Sequence, residues 1–379
     1  MTDATDFVLP GSRVSIRDLP KVSLHDHLDG GLRPQTIIDL AEPLGIELPT
    51  TDAEELGAWF ATQSDSGSLV EYLKTFDVTT AVMQTREGLT RVAHDFVTDL
   101  AADGVIYGEI RWAPEQHLQR GLSLDETVEA VQEGINAGIA EVEAAGGWIR
   151  VGQLVSAMRH LDRGTEIAEL ALRHRTRGVV GFDIAGPEAG FPPSRQREAF
   201  ELLASEWFPT TVHAGEADGL DSIRGALLDG RAQRLGHGVR IAEDITFEGE
   251  DDEGRFVALG QLAQWVKDRG IALECSPSSN LQTGAFAAWG SEMSDHPFDL
   301  LYQLGFRVTV NTDNRLMSAT TLTRELSVLV DTFGYDLDDL QAFQLNAAEV
   351  AFLPLEDRQE LIERILSGFA RVDDRGAAQ

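Results

Sequence analysis

Residues 22–28 read Val-Ser-Leu-His-Asp-His-Leu. The run is short, apolar and rich in strand formers, and a longer stretch with helical spacing follows it. Seven more runs of this kind succeed it: 105–112 (VIYGEIRW), 149–158 (IRVGQLVSAM), 178–185 (GVVGFDIA), 209–216 (PTTVHAGE), 235–240 (LGHGVR), 271–277 (IALECSP) and 306–313 (FRVTVNTD). Strand-like runs alternating with amphipathic stretches argue for βα units and a parallel sheet. Eight units predict an α/β fold closed as a (β/α)8, or TIM, barrel of about 250 residues plus insertions. A doubly wound open sheet is the alternative. No GxGxxG fingerprint or P-loop supports nucleotide binding of that kind.

The 379 residues exceed a bare barrel. Most of the surplus, about residues 30–104, separates the first two runs and reads as a helical insertion after the first strand. Within it, 33–44 and 68–83 have helical spacing of apolar residues. An insertion there lies beside the barrel mouth and could form a lid or simply pack as helices. The chain 1–379 is therefore expected to be a single barrel domain. A second surplus, 243–254 (EDITFEGEDDEG), is densely acidic and reads as a solvated loop.

Composition narrows the partners. The formal net charge is −32, and polyanion binding depends on neutralising phosphates with Lys and Arg. Neither nucleic acid nor an anionic membrane is an expected partner. No run approaches the roughly 20 apolar residues of a membrane span, and residues 1–10 lack a signal-like pattern, so a cytoplasmic location is expected. One cysteine, Cys275, excludes an internal disulfide.

The chemistry gathers at run ends. In a strand, residues i and i+2 point the same way, so His25 and His27 would aim two imidazoles at one point. Run five ends in His213-Ala-Gly-Glu216, run six holds His237 between two glycines, and run eight ends in Asp313. The C-terminal ends of barrel strands converge on one mouth. Four of the nine histidines, a Glu and an Asp thus meet there, which points to a metal centre. His94, His117, His174 and His296 read as surface or packing residues, whereas His160 could line the pocket. Cys275 could face the site but reads as a small apolar filler. HExxH, GxSxG and CxxC patterns are absent.

These segments resemble the adenosine deaminase family of the amidohydrolase superfamily. The similar stretches are KVSLHDHLDGGLRPQTI from Lys21, FDIAGPE from Phe182, TVHAGE from Thr211 and RLGHGV from Arg234. CSPSSNLQT from Cys275, VNTDN from Val310 and NAAEVAFLP from Asn346 complete the set. The resemblance implies zinc-dependent hydrolytic deamination of adenosine, and of 2′-deoxyadenosine, to inosine and ammonia. It implies one Zn2+ per chain on His25, His27, His213 and Asp313, with Asp313 also among the catalytic groups. Glu216 would protonate the purine at N1, and His237 would orient the attacking hydroxide. His27 and Asp29 would face the substrate, Asp29 at the ribose, while the Gly186 N–H would meet N3 and Asn314 would meet N7.

Binuclear members of that superfamily often bridge two metals through a lysine at the end of strand four. None of Lys21, Lys74 and Lys267 falls there. Two positions depart from the family pattern. Asn314 stands where an Asp is usual, and an amide always has N–H donors. Pro187 stands where an acidic residue is usual and has no N–H. Both leave the preferred purine open. The alternatives are a deaminase of adenine or of another 6-aminopurine nucleoside such as aminofutalosine, a hydrolase of an unrelated amide, and a non-catalytic purine-binding protein.

Overall fold

The computed structural model describes residues 7–251 and 254–377. Residues 1–6, which entered the reading of the N-terminus, lie outside the described residues, as do 252–253 of the acidic run.

Eight of the strands make two parallel four-stranded sheets. In one, β1 (Lys21–His27), β2 (Val105–Trp112), β3 (Arg150–Met158) and β4 (Val179–Ala185) lie side by side. In the other, β5 (Thr211–Ala214), β6 (Arg234–His237), β9 (Ala272–Cys275) and β10 (Val308–Val310) do. Single parallel bridges join the two sheets at both seams, Phe182 with Thr210 and Asp26 with Asp313. At the second seam, His27 N–H donates to the Asp313 carbonyl at 2.7 Å and Asp313 N–H to the His25 carbonyl at 2.9 Å. The strand order around the ring is the order in the chain, as right-handed βα units require. The eight barrel strands fall on the eight runs; β2 matches its run, β1 and β6 begin one residue earlier, and the others are shortened.

The trimming has a cause. Run five stops at Ala214 because Gly215 turns at φ +77°. Run six stops at His237, where φ is +63°, and Gly238 follows at +68°. Run seven stops before Pro277, which opens a helix at its first position.

The acidic run 243–254 is not the loop that its charge suggests. Strands β7 (Ile245–Asp251) and β8 (Gly254–Leu259) form an antiparallel hairpin pairing Ile245 with Leu259 and Phe247 with Val257. Apolar Ile245, Phe247, Val257 and Leu259 supply the strand period beneath the acidic composition.

Helices fill residues 34–102, as expected. Pro34–Leu44 matches its expected span. The expected 68–83 helix is broken into Leu69–Tyr72, a 3-10 turn at Leu73–Thr75, and Phe76–Val82. Thr75 Oγ1 donates to the Tyr72 carbonyl, and Thr79 and Thr80 both donate to that of Phe76. Such hydroxyls compete with the backbone ladder. Among the described residues, no helix is long and apolar enough to cross a membrane.

The barrel strands are buried along nearly their whole length, as in a parallel sheet covered on both faces. The barrel interior is charged. Arg111 on β2 reaches Asp183 on β4 at 3.2 Å and Glu274 on β9 at 2.7 Å. Arg234 on β6 reaches Glu274 at 2.6 Å and Glu109 on β2 at 2.5 Å. The contacts of Arg111 with Glu274 and of Arg234 with Glu109 join strands of different sheets and so cross the lumen. All five side chains are fully buried, so removing one partner would cost about 3–5 kcal/mol.

Candidate active site

The lumen network ends in imidazoles. His25 Nδ1 lies 3.0 Å from Glu274 Oε2, and His213 Nδ1 lies 2.8 Å from Asp183 Oδ2. A carboxylate beside each Nδ1 favours the proton there and leaves the Nε2 lone pair free. Burial pushes the His213 imidazole down to about 4, against the pull of Asp183, so it is neutral at pH 7. Burial would raise the Asp183 carboxyl, but His213 and Arg111 outweigh it and hold it at about 2.

Those lone pairs converge. His27 Nε2 is 3.2 Å from His213 Nε2 and 3.3 Å from Asp313 Oδ1. His25 Nε2 is 3.3 Å from the same Asp313 oxygen and has no hydrogen-bond partner. With their Nε2 atoms unprotonated, three imidazoles gathered around one carboxylate oxygen would repel it, and a cation between them removes that repulsion. The donor set, three nitrogens and one oxygen, fits a divalent ion of the zinc type.

His237 also enters this cluster. Ligand atoms of His25, His213, His237 and Asp313 all lie within 4.8 Å of one another. Its tautomer argues for a different role from that of His27. Phe298 N–H donates to His296 Nδ1, so His296 carries its proton on Nε2 and donates to Asn280 Oδ1 at 3.2 Å. Ser276 N–H donates to the same oxygen. With two donors on Oδ1, the Asn280 amide turns its N–H to His237 Nδ1, at 2.9 Å. His237 Nε2 therefore bears a proton and cannot be a ligand at the same time. That N–H faces Glu216 Oε2 at 3.6 Å.

Glu216 is buried, and its Oε1 has no partner. Burial, then the charges of Asp313 and Glu188, push its carboxyl well above the ordinary range. The loop that carries it is tied to Glu188. That carboxylate accepts from the N–H groups of Gly215 (2.6 Å), Glu216 (3.1 Å), Ala217 (2.6 Å) and Asp218 (3.0 Å), and from the Ser222 hydroxyl (2.6 Å).

A cavity of about 390 Å³ opens over these groups, large enough for a nucleoside. His27, Asp29, Gly186, His213, Glu216, His237, Asp313 and Asn314 line it. Of the nine residues singled out in the sequence, only His25 is absent from the cavity wall, and it lies directly beneath, among the other imidazoles. Asp29 is buried with an unpartnered Oδ1. Gly186 has φ +98°, a backbone conformation that favours glycine. Two of the five non-glycine residues with positive φ among the described residues are His237 and Asp313, strain of the kind that marks functional sites.

Sequence reading missed several contributors. Glu188, Asn280 and Ser279, whose hydroxyl donates to Asp313 Oδ2 at 2.6 Å, lie in the quoted segments but had no role there. Tyr72, Leu73 and Phe76 bring the helical insertion into the cavity wall. His160 lines the cavity too; His117 and His174 are buried packing residues, and His296, also buried, holds Asn280. Cys275 is buried filler, its thiol facing the His237 carbonyl at 3.7 Å.

Known proteins share this arrangement of sequence. The family model described as adenosine deaminase matches residues 20–367. Adenosine deaminase 1 of Streptomyces coelicolor is 55% identical over 359 residues, 94% of this chain and 89% of that protein. Adenosine deaminase of Mycobacterium ulcerans is 54% identical over 93% of this chain and 95% of its own length. Among solved structures, the N6-mAMP deaminase of Arabidopsis superposes with a TM-score of 0.77 at 27% identity, covering 93% of this chain and 99% of that one. Adenine deaminase of Arthrobacter aurescens, at 24% identity and a TM-score of 0.77 over 92% of this chain and 98% of that one, shares the fold. With matches over nearly its whole length, and the imidazole, carboxylate and glycine positions in one cavity, the chain belongs to the adenosine deaminase family.

Proposed function

We propose that the protein hydrolytically deaminates adenosine, and 2′-deoxyadenosine, to inosine and ammonia, with one zinc ion per chain, as a single barrel domain over 1–379 whose insertion spans about 30–104. One observation carries the reading. The Nε2 atoms of three histidines and Asp313 converge on a point beside a buried carboxyl and an imidazole N–H, within a nucleoside-sized cavity.

His25, His27, His213 and Asp313 would hold the ion. Bound zinc lowers the pKa of water towards ~7 and so supplies hydroxide at neutral pH. Addition at C6 of the purine needs electron density to flow into the ring, and a proton delivered to N1 allows this. Glu216 suits that task because its raised pKa keeps the proton on at neutral pH. The Nε2–H of His237 faces the same space and can hold the attacking oxygen by donating to it. Asp29, a buried acceptor on the cavity wall, fits a ribose hydroxyl, which favours a nucleoside over free adenine. Gly186 brings its backbone to the cavity for N3, and Asn314 offers an amide N–H for N7. A single ion is expected because the end of β4 has no lysine and Asp183 is engaged with His213 and Arg111.

Glu216→Gln tests this reading. The variant should bind one equivalent of zinc, measured by elemental analysis, and lose at least 10²–10⁴-fold in turnover. Turnover within tenfold of the parent would remove Glu216 as the acid.

A further inference from the structure

Tyr72 is the one residue of the insertion whose polar atom is both buried in the cavity wall and without a partner. Its side chain is 1% exposed, its hydroxyl makes no hydrogen bond, and it lines the cavity with Asp313 and Asn314. A buried hydroxyl without a partner costs about 1–3 kcal/mol, so one in a ligand cavity points to a contact made by the ligand.

The surroundings fix what it can do. Ser318, Asn314 and Ser279 are the polar side chains facing the phenol. Ser279 already donates its proton to Asp313, and Ser318 donates its own to Gln282 Oε1 at 2.8 Å. Neither serine has a proton left for the phenol oxygen, but both can accept one from it. Tyr72 can thus send its proton to a serine and keep a lone pair towards the cavity. Burial and the charge of Asp313 hold the phenol fully protonated. Beside it, a Cβ on Gly30 would lie 1.9 Å from Asn314 Oδ1, so this oxygen packs against bare backbone and the amide nitrogen is turned away from it.

We infer that Tyr72 reads the 6-amino group of the bound purine by accepting from its N–H, beside the Asn314 amide already placed at N7. The inference rests on the adenosine reading and deepens it. The insertion then supplies a specificity-determining group in addition to an apolar wall. A substrate with a hydrogen-bond donor at C6 would be selected by a group outside the barrel.

The test is a ligand–residue cycle in the Glu216→Gln background, where adenosine binds without turnover. Dissociation constants are measured for adenosine and for purine riboside, which lacks the 6-amino group, with Tyr72 and with Tyr72→Phe. Adenosine should weaken roughly tenfold on loss of the hydroxyl, the worth of one hydrogen bond, while purine riboside stays within twofold. Equal weakening of both ligands, or of neither, would overturn the inference and leave the adenosine reading intact. Failure of adenosine to bind when Tyr72 is present would instead overturn the adenosine reading, and the inference with it.

Discussion

Glu188→Gln changes a single oxygen to an amide nitrogen, yet five donors converge on that carboxylate. The least costly orientation puts the new NH2 at the Oε1 position. There it faces the N–H of Gly215 and the hydroxyl of Ser222, which can rotate and accept. One buried N–H is left without an acceptor, at about 1–3 kcal/mol. The three bonds to Oε2 change from charge-assisted to neutral, each losing roughly 1 kcal/mol. Less the relief of no longer burying a charge, a cost of about 2–4 kcal/mol remains. The strain falls on residues 215–218, which carry Glu216, and a displacement of about 1 Å can cost on the order of 10²-fold in rate. The lost charge also acts on Glu216 directly. Glu188 helps to raise that carboxyl, so its neutralisation lowers it. Activity that needs protonated Glu216 is lost as pH rises through its pKa, so the basic limb of kcat should move to lower pH. Urea unfolding, zinc content and kcat against pH read all three effects. A variant with unchanged stability, kcat within twofold and an unmoved basic limb would refute the role given to Glu188.

Three further outcomes are expected. Asn280→Ala removes the amide that keeps the proton of His237 on Nε2 and should lower kcat about 10²-fold with zinc retained; unchanged kcat would show that the tautomer is not set there. Asp183→Asn weakens the hold on His213 Nδ1 and should lower zinc affinity 10–100-fold in a chelator competition, whereas wild-type affinity would deny Asp183 that role. Asn314→Asp can donate to N7 only when protonated, so its kcat/KM for adenosine should fall with rising pH where the parent's does not; identical profiles would mean that N7 is not read at this position.

The fold was legible because short apolar strand-like runs such as 22–28 and 105–112 alternate with stretches of helical spacing such as 33–44. The ligand candidates were legible for the same reason: HxH, HAGE and GHG sit at strand ends, and a barrel brings strand ends together. Other features depend on contacts that local pattern does not encode. Glu188 meets Gly215 across 27 residues and Asn280 meets His237 across 43, so neither pairing leaves a periodic trace. Tyr72 lies in an apolar helical stretch, where an aromatic residue reads as packing until the cavity is seen. The acidic composition of 243–254 hid the alternation of Ile245 and Phe247, and charge was read where side-chain period decides. The break at Leu73–Thr75 depends on threonine hydroxyls choosing carbonyls, which helical spacing does not report.

What most needs testing is that this site deaminates adenosine in preference to other 6-aminopurines. The most direct test is ammonia release from adenosine, 2′-deoxyadenosine, adenine, AMP and aminofutalosine, measured side by side on protein carrying one zinc per chain. The highest kcat/KM is expected for adenosine, with 2′-deoxyadenosine next and free adenine far below, because Asp29 offers its buried acceptor to a ribose. A preference for adenine, AMP or aminofutalosine, or no release from adenosine, would contradict it.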